Sequence, residues 1–234
     1  MNIMAVGTWG AGLDPQRRNT TFLIDENTLL DCGPHTTEYL INQDVDLSKI
    51  KRMLITHLHL DHAGGIPEFI WQRALHGINR DINITGPYEI SRNITEILRY
   101  YHTPTFMMRG VTFNKFEPDL KIMPGKHSVE EYMYRATFSG KSVFYSGDTS
   151  YTEIAIETGK GCDLFIHEAT YPDTMEDEAR KYGHSTVAEA IMAFRASGSK
   201  IFMPTHMSSE SFQVISSIKD KNIIVPEDGK VYKI

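Results

Sequence analysis

The chain has 234 residues, of which 41% are hydrophobic and 23% charged, and a formal net charge of −6. That is ordinary for a globular protein, and long enough for one sizeable domain, expected to span 1–234. The absence of a Lys/Arg block argues against a large nucleic-acid footprint, and no apolar stretch of about 20 residues offers a membrane span. The two cysteines, Cys32 and Cys162, lie far apart without a C-x-x-C, so a zinc ribbon or redox pair is excluded and reduced thiols of a cytoplasmic protein fit best. The first seven residues turn polar too early for a signal peptide.

In chain order, residues 3–6 read as a strand broken by the glycine-rich segment 7–12. Residues 20–25 and 27–31 read as a hairpin. Pro34 opens a helix carrying Tyr39, Leu40 and Ile41. Met53-Leu54-Ile55 is a buried strand, and a helix starts near Pro67 and ends at Gly77. Residues 81–85 form a short strand. Over 88–101, Ile90, Ile94, Ile97, Leu98 and Tyr101 repeat at three and four, a helical spacing. Strand-like runs follow at 111–116, 119–123, 131–138 and 142–145. Then strands at 164–166 and 201–203 flank a helix marked by Val187, Ala190, Ile191 and Phe194. A helix at 211–218 and a strand at 230–234 close the chain. Periodicity gives a mixed α and β protein. The eleven methionines read as core filler.

The chemistry is concentrated in Thr56-His57-Leu58-His59-Leu60-Asp61-His62. Imidazole and carboxylate are ligands for first-row metals. Four such groups in one loop serve one ion or are split between two. If the loop is extended, residues 57, 59 and 61 point to one side and His62 to the other. Three more candidates also follow apolar strands or a Pro-Gly turn: His127 in Pro-Gly-Lys-His, Asp148 in Tyr-Ser-Gly-Asp, and His206 in Pro-Thr-His. His35, His76, His102 and His167 lack any such pattern and read as structural or surface residues.

H-x-H-x-D-H after a hydrophobic strand resembles the signature of the metallo-β-lactamase superfamily. That resemblance implies an α/β fold, two sheets face to face with helices outside, a four-layer αββα sandwich. It also implies that His57, His59 and His127 hold one metal, that Asp61, His62 and His206 hold the other, and that Asp148 bridges them. Such a pair of ions shares a hydroxide and stabilises both attacking and leaving oxygens, with Asp61 orienting the hydroxide and taking its proton. The donor set suits two zinc ions, and the same set accepts manganese or iron.

Three further stretches resemble loops of the ribonuclease Z family of tRNA 3′-processing endonucleases and their phosphodiesterase relatives: His167-Glu168-Ala169-Thr170, Gly183-His184-Ser185-Thr186, and Pro15-Gln16-Arg17-Arg18-Asn19. Thr186 to Glu189 also spells a capping box, so His184 sits just before a helix whose N-terminus favours anions. Ser185 and Thr186 are therefore candidates for phosphate, as are Arg17, Arg18 and Asn19 for phosphate or ribose. His184 is the candidate general acid, with Glu168 on its other ring nitrogen. The resemblance implies a cytoplasmic, homodimeric hydrolase of a small or cyclic nucleotide diester or of an RNA 3′ end. Rival readings are hydrolysis of a thioester, lactone or β-lactam, and a metal-binding partner protein without turnover. The chain departs from the family pattern in two places. His127 and Asp148 are only 21 residues apart, too few for the arm that clamps tRNA in that family, and the Pro15–Asn19 loop is one residue short.

Overall fold

The computed structural model describes residues 1–12 and 14–234. Strands β1 (Asn2–Gly7), β2 (Thr21–Ile24) and β3 (Thr28–Leu30) form an antiparallel meander. After helix α1 (Thr36–Asn42), β4 (Arg52–Leu54) joins β3 in parallel. Helices α2 (Leu60–Ala63) and α3 (Ile66–Leu75) lead to β5 (Ile82–Thr85), and α4 (Ile90–Tyr100) leads to β6 (Val111–Phe113), both strands again parallel to their neighbours. The second sheet starts with the antiparallel strands β7 (Lys121–Pro124), β8 (Tyr132–Phe138) and β9 (Lys141–Tyr145). Helix α5 (Glu153–Gly159) crosses to β10 (Leu164–Glu168). Helices α6 (Glu176–Tyr182) and α7 (Val187–Ser197) cross to β11 (Ile201–Thr205). Helix α8 (Ser209–Ser217) precedes β12 (Val231–Lys233), which returns to pair with β1. The sheet orders are β12-β1-β2-β3-β4-β5-β6 and β11-β10-β9-β8-β7.

Alternation along the strands builds the layers. Ile3, Phe22, Leu30 and Leu54 of one sheet meet Tyr134, Val143, Tyr145, Leu164 and Ile166 of the other. The residues between them point outward. Leu29, Met53 and Ile84 pack under α1, α3 and α4 through Leu40, Phe69, Ile70, Ile94 and Leu98. Phe144, Phe165 and Phe202 pack under α5, α7 and α8 through Ala155, Ala190, Phe194 and Ile215. The expected αββα sandwich is what results. Phe165 is fully buried and meets the Phe144 ring at 4.7 Å. Phe165→Ala should therefore destabilise the chain by about 3–5 kcal/mol in urea titration.

The strands and longer helices fall close to where periodicity places them. The motif loop differs. His59 is extended, but Leu60–Ala63 closes one helical turn with Ala63 N–H donating to His59 C=O. Asp61 and His62 are therefore successive helical positions, and the extended run ends at His59. Helices α5 and α6, each seven residues long, lie in segments that the sequence reading leaves without elements.

Candidate metal centre and active site

The site lies where strands end. His57 and His59 follow β4, His127 follows β7, Asp148 follows β9, Glu168 is the last residue of β10, and His206 follows β11. In one group, His57 Nε2 lies 2.9 Å from His59 Nδ1, and His127 Nε2 lies 3.3 Å from the same atom. In the other, His206 Nε2 and His62 Nε2 lie 3.2 and 3.4 Å from Asp61 Oδ2. Asp148 Oδ2 stands between the groups, 3.3 Å from both His62 and His206 and 3.7 Å from His57. Within each group the donor atoms lie within 4.8 Å of one another. The seven candidate ligands are thus brought together.

Whether these atoms fit cations follows from where their protons go. His127 Nδ1–H donates to Gly183 C=O at 2.9 Å. His62 Nδ1–H donates to Asp31 Oδ2 at 2.8 Å. Thr170 Oγ1 gives its own proton to Glu168 Oε2, so it accepts from His206 Nδ1–H at 2.9 Å. His57 Nδ1 faces Glu131 Oε2 at 2.8 Å and Thr56 Oγ1 at 3.1 Å. Their Nε2 lone pairs are left aimed at one another and at carboxylate oxygens. Acceptors held this close require something positive among them. Buried His62 Nε2 and Asp148 Oδ1 have no hydrogen-bond partner among the described residues. The residues present fit a dinuclear metal site, with four of the five imidazoles, all but His59, met from behind as metal-binding imidazoles are.

The electrostatics agree. Burial pushes His57, His59 and His127 below the ordinary imidazole range, which keeps them neutral and able to ligate. Burial would raise the Asp61 carboxyl, but His206 and His62 hold it below the ordinary carboxylate range. Burial disfavours charge on His62, yet Asp148 and Asp31 on either side outweigh it and draw His62 upward. A cation at Nε2 meets the same demand.

Beside this cluster, His184 Nδ1 lies 2.9 Å from Glu168 Oε1, and its ring stacks on His206 with centroids 5.2 Å apart. Burial opposes its protonation, but Glu168 raises it to about 9. Glu168 is fully buried and also accepts from Thr149 N–H and Ser185 N–H at 2.8 and 3.0 Å.

The other candidates sit differently. The Ser185 hydroxyl donates to Thr149 C=O, and the Thr186 hydroxyl caps α7 by accepting from Glu189 N–H. Both are buried scaffold contacts. Arg17 lies over Trp9 and Phe212, Arg18 lies 3.7 Å over the Tyr39 ring, and the Asn19 amide donates to Gly10 C=O.

Comparison with known proteins then decides the family. The β-lactamase superfamily domain matches residues 26–207. The chain belongs to the β-lactamase superfamily. Within it the chain is ribonuclease Z-like. Ribonuclease Z of Shouchella clausii is 24% identical over 305 aligned positions, which cover 100% of this chain and 97% of that protein. Ribonuclease BN of Erwinia tasmaniensis is 26% identical over 89% of this chain and 90% of its own length. The fold matches human tRNase Z, short form, with TM-score 0.84 at 22% identity, covering 100% of this chain and 99% of that one. It also matches a diphosphatase of the PhnP family with TM-score 0.75 at 17% identity, covering 100% and 97%.

An alignment of 305 positions exceeds the 234 residues available, so this superfamily member lacks segments that the Shouchella protein carries. Between His127 and Asp148 it has only the β8–β9 hairpin, turned at Ser139-Gly140. Three residues behind the ligand candidates escape sequence reading: Asp31, Glu131 and Thr170. Asp31 directly follows β3, much as Asp148 follows β9, and that is the available signal.

Proposed function

We propose that this ribonuclease Z-like chain is a metal-dependent hydrolase that cleaves phosphodiesters at the cluster described above. The observation that carries the reading is the His184–Glu168 pair set against the seven converging His and Asp side chains. His57, His59 and His127 would hold one divalent ion, Asp61, His62 and His206 a second, and Asp148 would touch both. Zinc suits five imidazoles and two carboxylates, and manganese or iron would be accepted by the same set. Two bound cations would make a water more acidic and offset charge building on a phosphoryl group.

The chain's own residues supply the rest. Asp61 engages His62 and His206 through Oδ2, which leaves Oδ1 to take the proton of the attacking water. Glu168 holds His184 Nδ1–H, so Nε2–H is the proton offered to the leaving oxygen. Hydrolysis of a thioester, whose thiolate leaves without a proton, has less use for that acid, which disfavours that substrate. The natural substrate class is a small or cyclic nucleotide diester or an RNA 3′ end. With only a hairpin where a tRNA clamp would extend, precursor tRNA is the less favoured member. The chain acts as one domain, 1–234, in the cytoplasm and as a homodimer. Among the described residues no helix is long and apolar enough to cross a membrane.

Hydrolysis of a chromogenic phosphodiester tests this. Zinc- or manganese-loaded protein should turn over, a chelator should abolish turnover, and reloading should restore it. Protein with both positions filled that leaves phosphodiesters intact but opens thioesters or lactones would overturn the proposal.

A further inference from the structure

We propose that Glu131 is a positioning residue for the metal position formed by His57, His59 and His127, and that it acts on that position rather than on the one formed by Asp61, His62 and His206. This rests on the metal centre proposed above.

Glu131 is 2% exposed. Its backbone ties two ligand-bearing loops together: Tyr132 N–H donates to Thr56 C=O, and Gly125 N–H donates to Glu131 C=O, both at 2.9 Å. Its side chain runs through a slot that two glycines leave open. A Cβ on Gly125 would overlap Glu131 Cγ, and a Cβ on Gly147 would overlap Glu131 Oε1. Gly125 lies two residues before His127, and Gly147 directly before Asp148. At the end of the slot, Oε2 lies 2.8 Å from His57 Nδ1, which also meets the Thr56 hydroxyl at 3.1 Å, and neither Glu131 oxygen completes a hydrogen bond among the described residues.

A fully buried carboxylate with one imidazole as its polar neighbour costs folding free energy. Stability therefore does not account for it. Its one polar contact reaches the back of a candidate ligand, where a carboxylate fixes the ring and makes the ligating nitrogen more basic. The other three histidines with known backing differ. His127 leans on a carbonyl and His206 on a hydroxyl. His62 leans on Asp31, which also receives Thr56 N–H, the Thr56 hydroxyl and the Tyr145 hydroxyl and so serves the scaffold as well. Glu131 serves one imidazole, so its loss should fall on one position.

The test is metal titration of Glu131→Met, which fills the slot without an acceptor, against a chromophoric chelator. One of two zinc or cobalt equivalents should bind roughly 10–100-fold more weakly, and the other within about threefold of wild type. The cobalt absorption spectrum of the weakened equivalent should change. Metal-free Glu131→Met should melt at or above wild type, because a buried carboxylate is gone. Glu131→Gln, which keeps an acceptor, should fall between the two. Wild-type affinity at both equivalents would overturn the inference. Equal weakening of both with a lower metal-free melting point would also overturn it, since that describes a structural role. Wild-type protein that binds two equivalents but cleaves no phosphodiester would overturn the proposed activity and leave this inference standing. Wild-type protein that binds no metal would overturn both.

Discussion

Asp148→Ala should lose more than about 100-fold in phosphodiester turnover and fall below two bound metals per chain. The position of the carboxylate sets the size of the effect. Asp148 is 2% exposed, and its Oδ2 lies within 3.3–3.7 Å of His57, His62 and His206. No other described carboxylate stands between both groups of imidazoles. Outer residues that only orient a ligand are worth roughly 10–100-fold, so a residue that would touch both ions must cost more. The fold should survive, because the Asp148 side chain contributes no apolar packing and the strands around it keep their ladders. Circular dichroism and a metal-free melting curve would check that, and elemental analysis would count the metals. A variant that kept both metals and turned over within tenfold of wild type would remove Asp148 from its bridging role.

How much of this could be read from the chain depends on the range of each interaction. His57, His59, Asp61 and His62 are visible because four donors crowd into one loop, and His127, Asp148 and His206 because each follows a strand or a tight turn. The sandwich follows from the superfamily resemblance and not from periodicity, since strands of three to seven residues do not say which neighbour they pair with. The residues that aim the imidazoles were illegible for the same reason. Asp31 reads as the end of a hairpin, and nothing local ties it to His62 or to Tyr145, 114 residues away. Glu131 reads as the first residue of a strand, and its slot exists only after Gly125 and Gly147 come together. The phosphate expectation for Ser185 and Thr186 came from a correct capping box. In the fold, both hydroxyls and the Ser185 N–H are already taken by the scaffold. A sequence shows that a helix starts there but not which of its first polar groups are spoken for.

The hairpin between β8 and β9 has a mechanistic consequence. A diester that meets no clamp has to be recognised close to the scissile bond, so discrimination falls on the leaving group and on whatever protonates it. That makes His184→Ala the sharpest probe of mechanism. With an alkoxide leaving group, such as a ribose hydroxyl, the variant should lose roughly 10²–10⁴-fold in kcat. With p-nitrophenolate, which departs without a proton, it should lose far less. The buried Glu168 holds Nδ1–H and keeps His184 in its protonated form, raised to about 9 against the opposing effect of burial, so an acid is in place at the outset. The alternative is that His184 ligates a metal, since it lies 3.9 Å from Asp148 Oδ2 and groups with His127 as closely as with His206. The two roles separate cleanly. A ligand lost would lower metal content and slow both substrates alike. An acid lost would leave two metals bound and slow only the substrate that needs a proton.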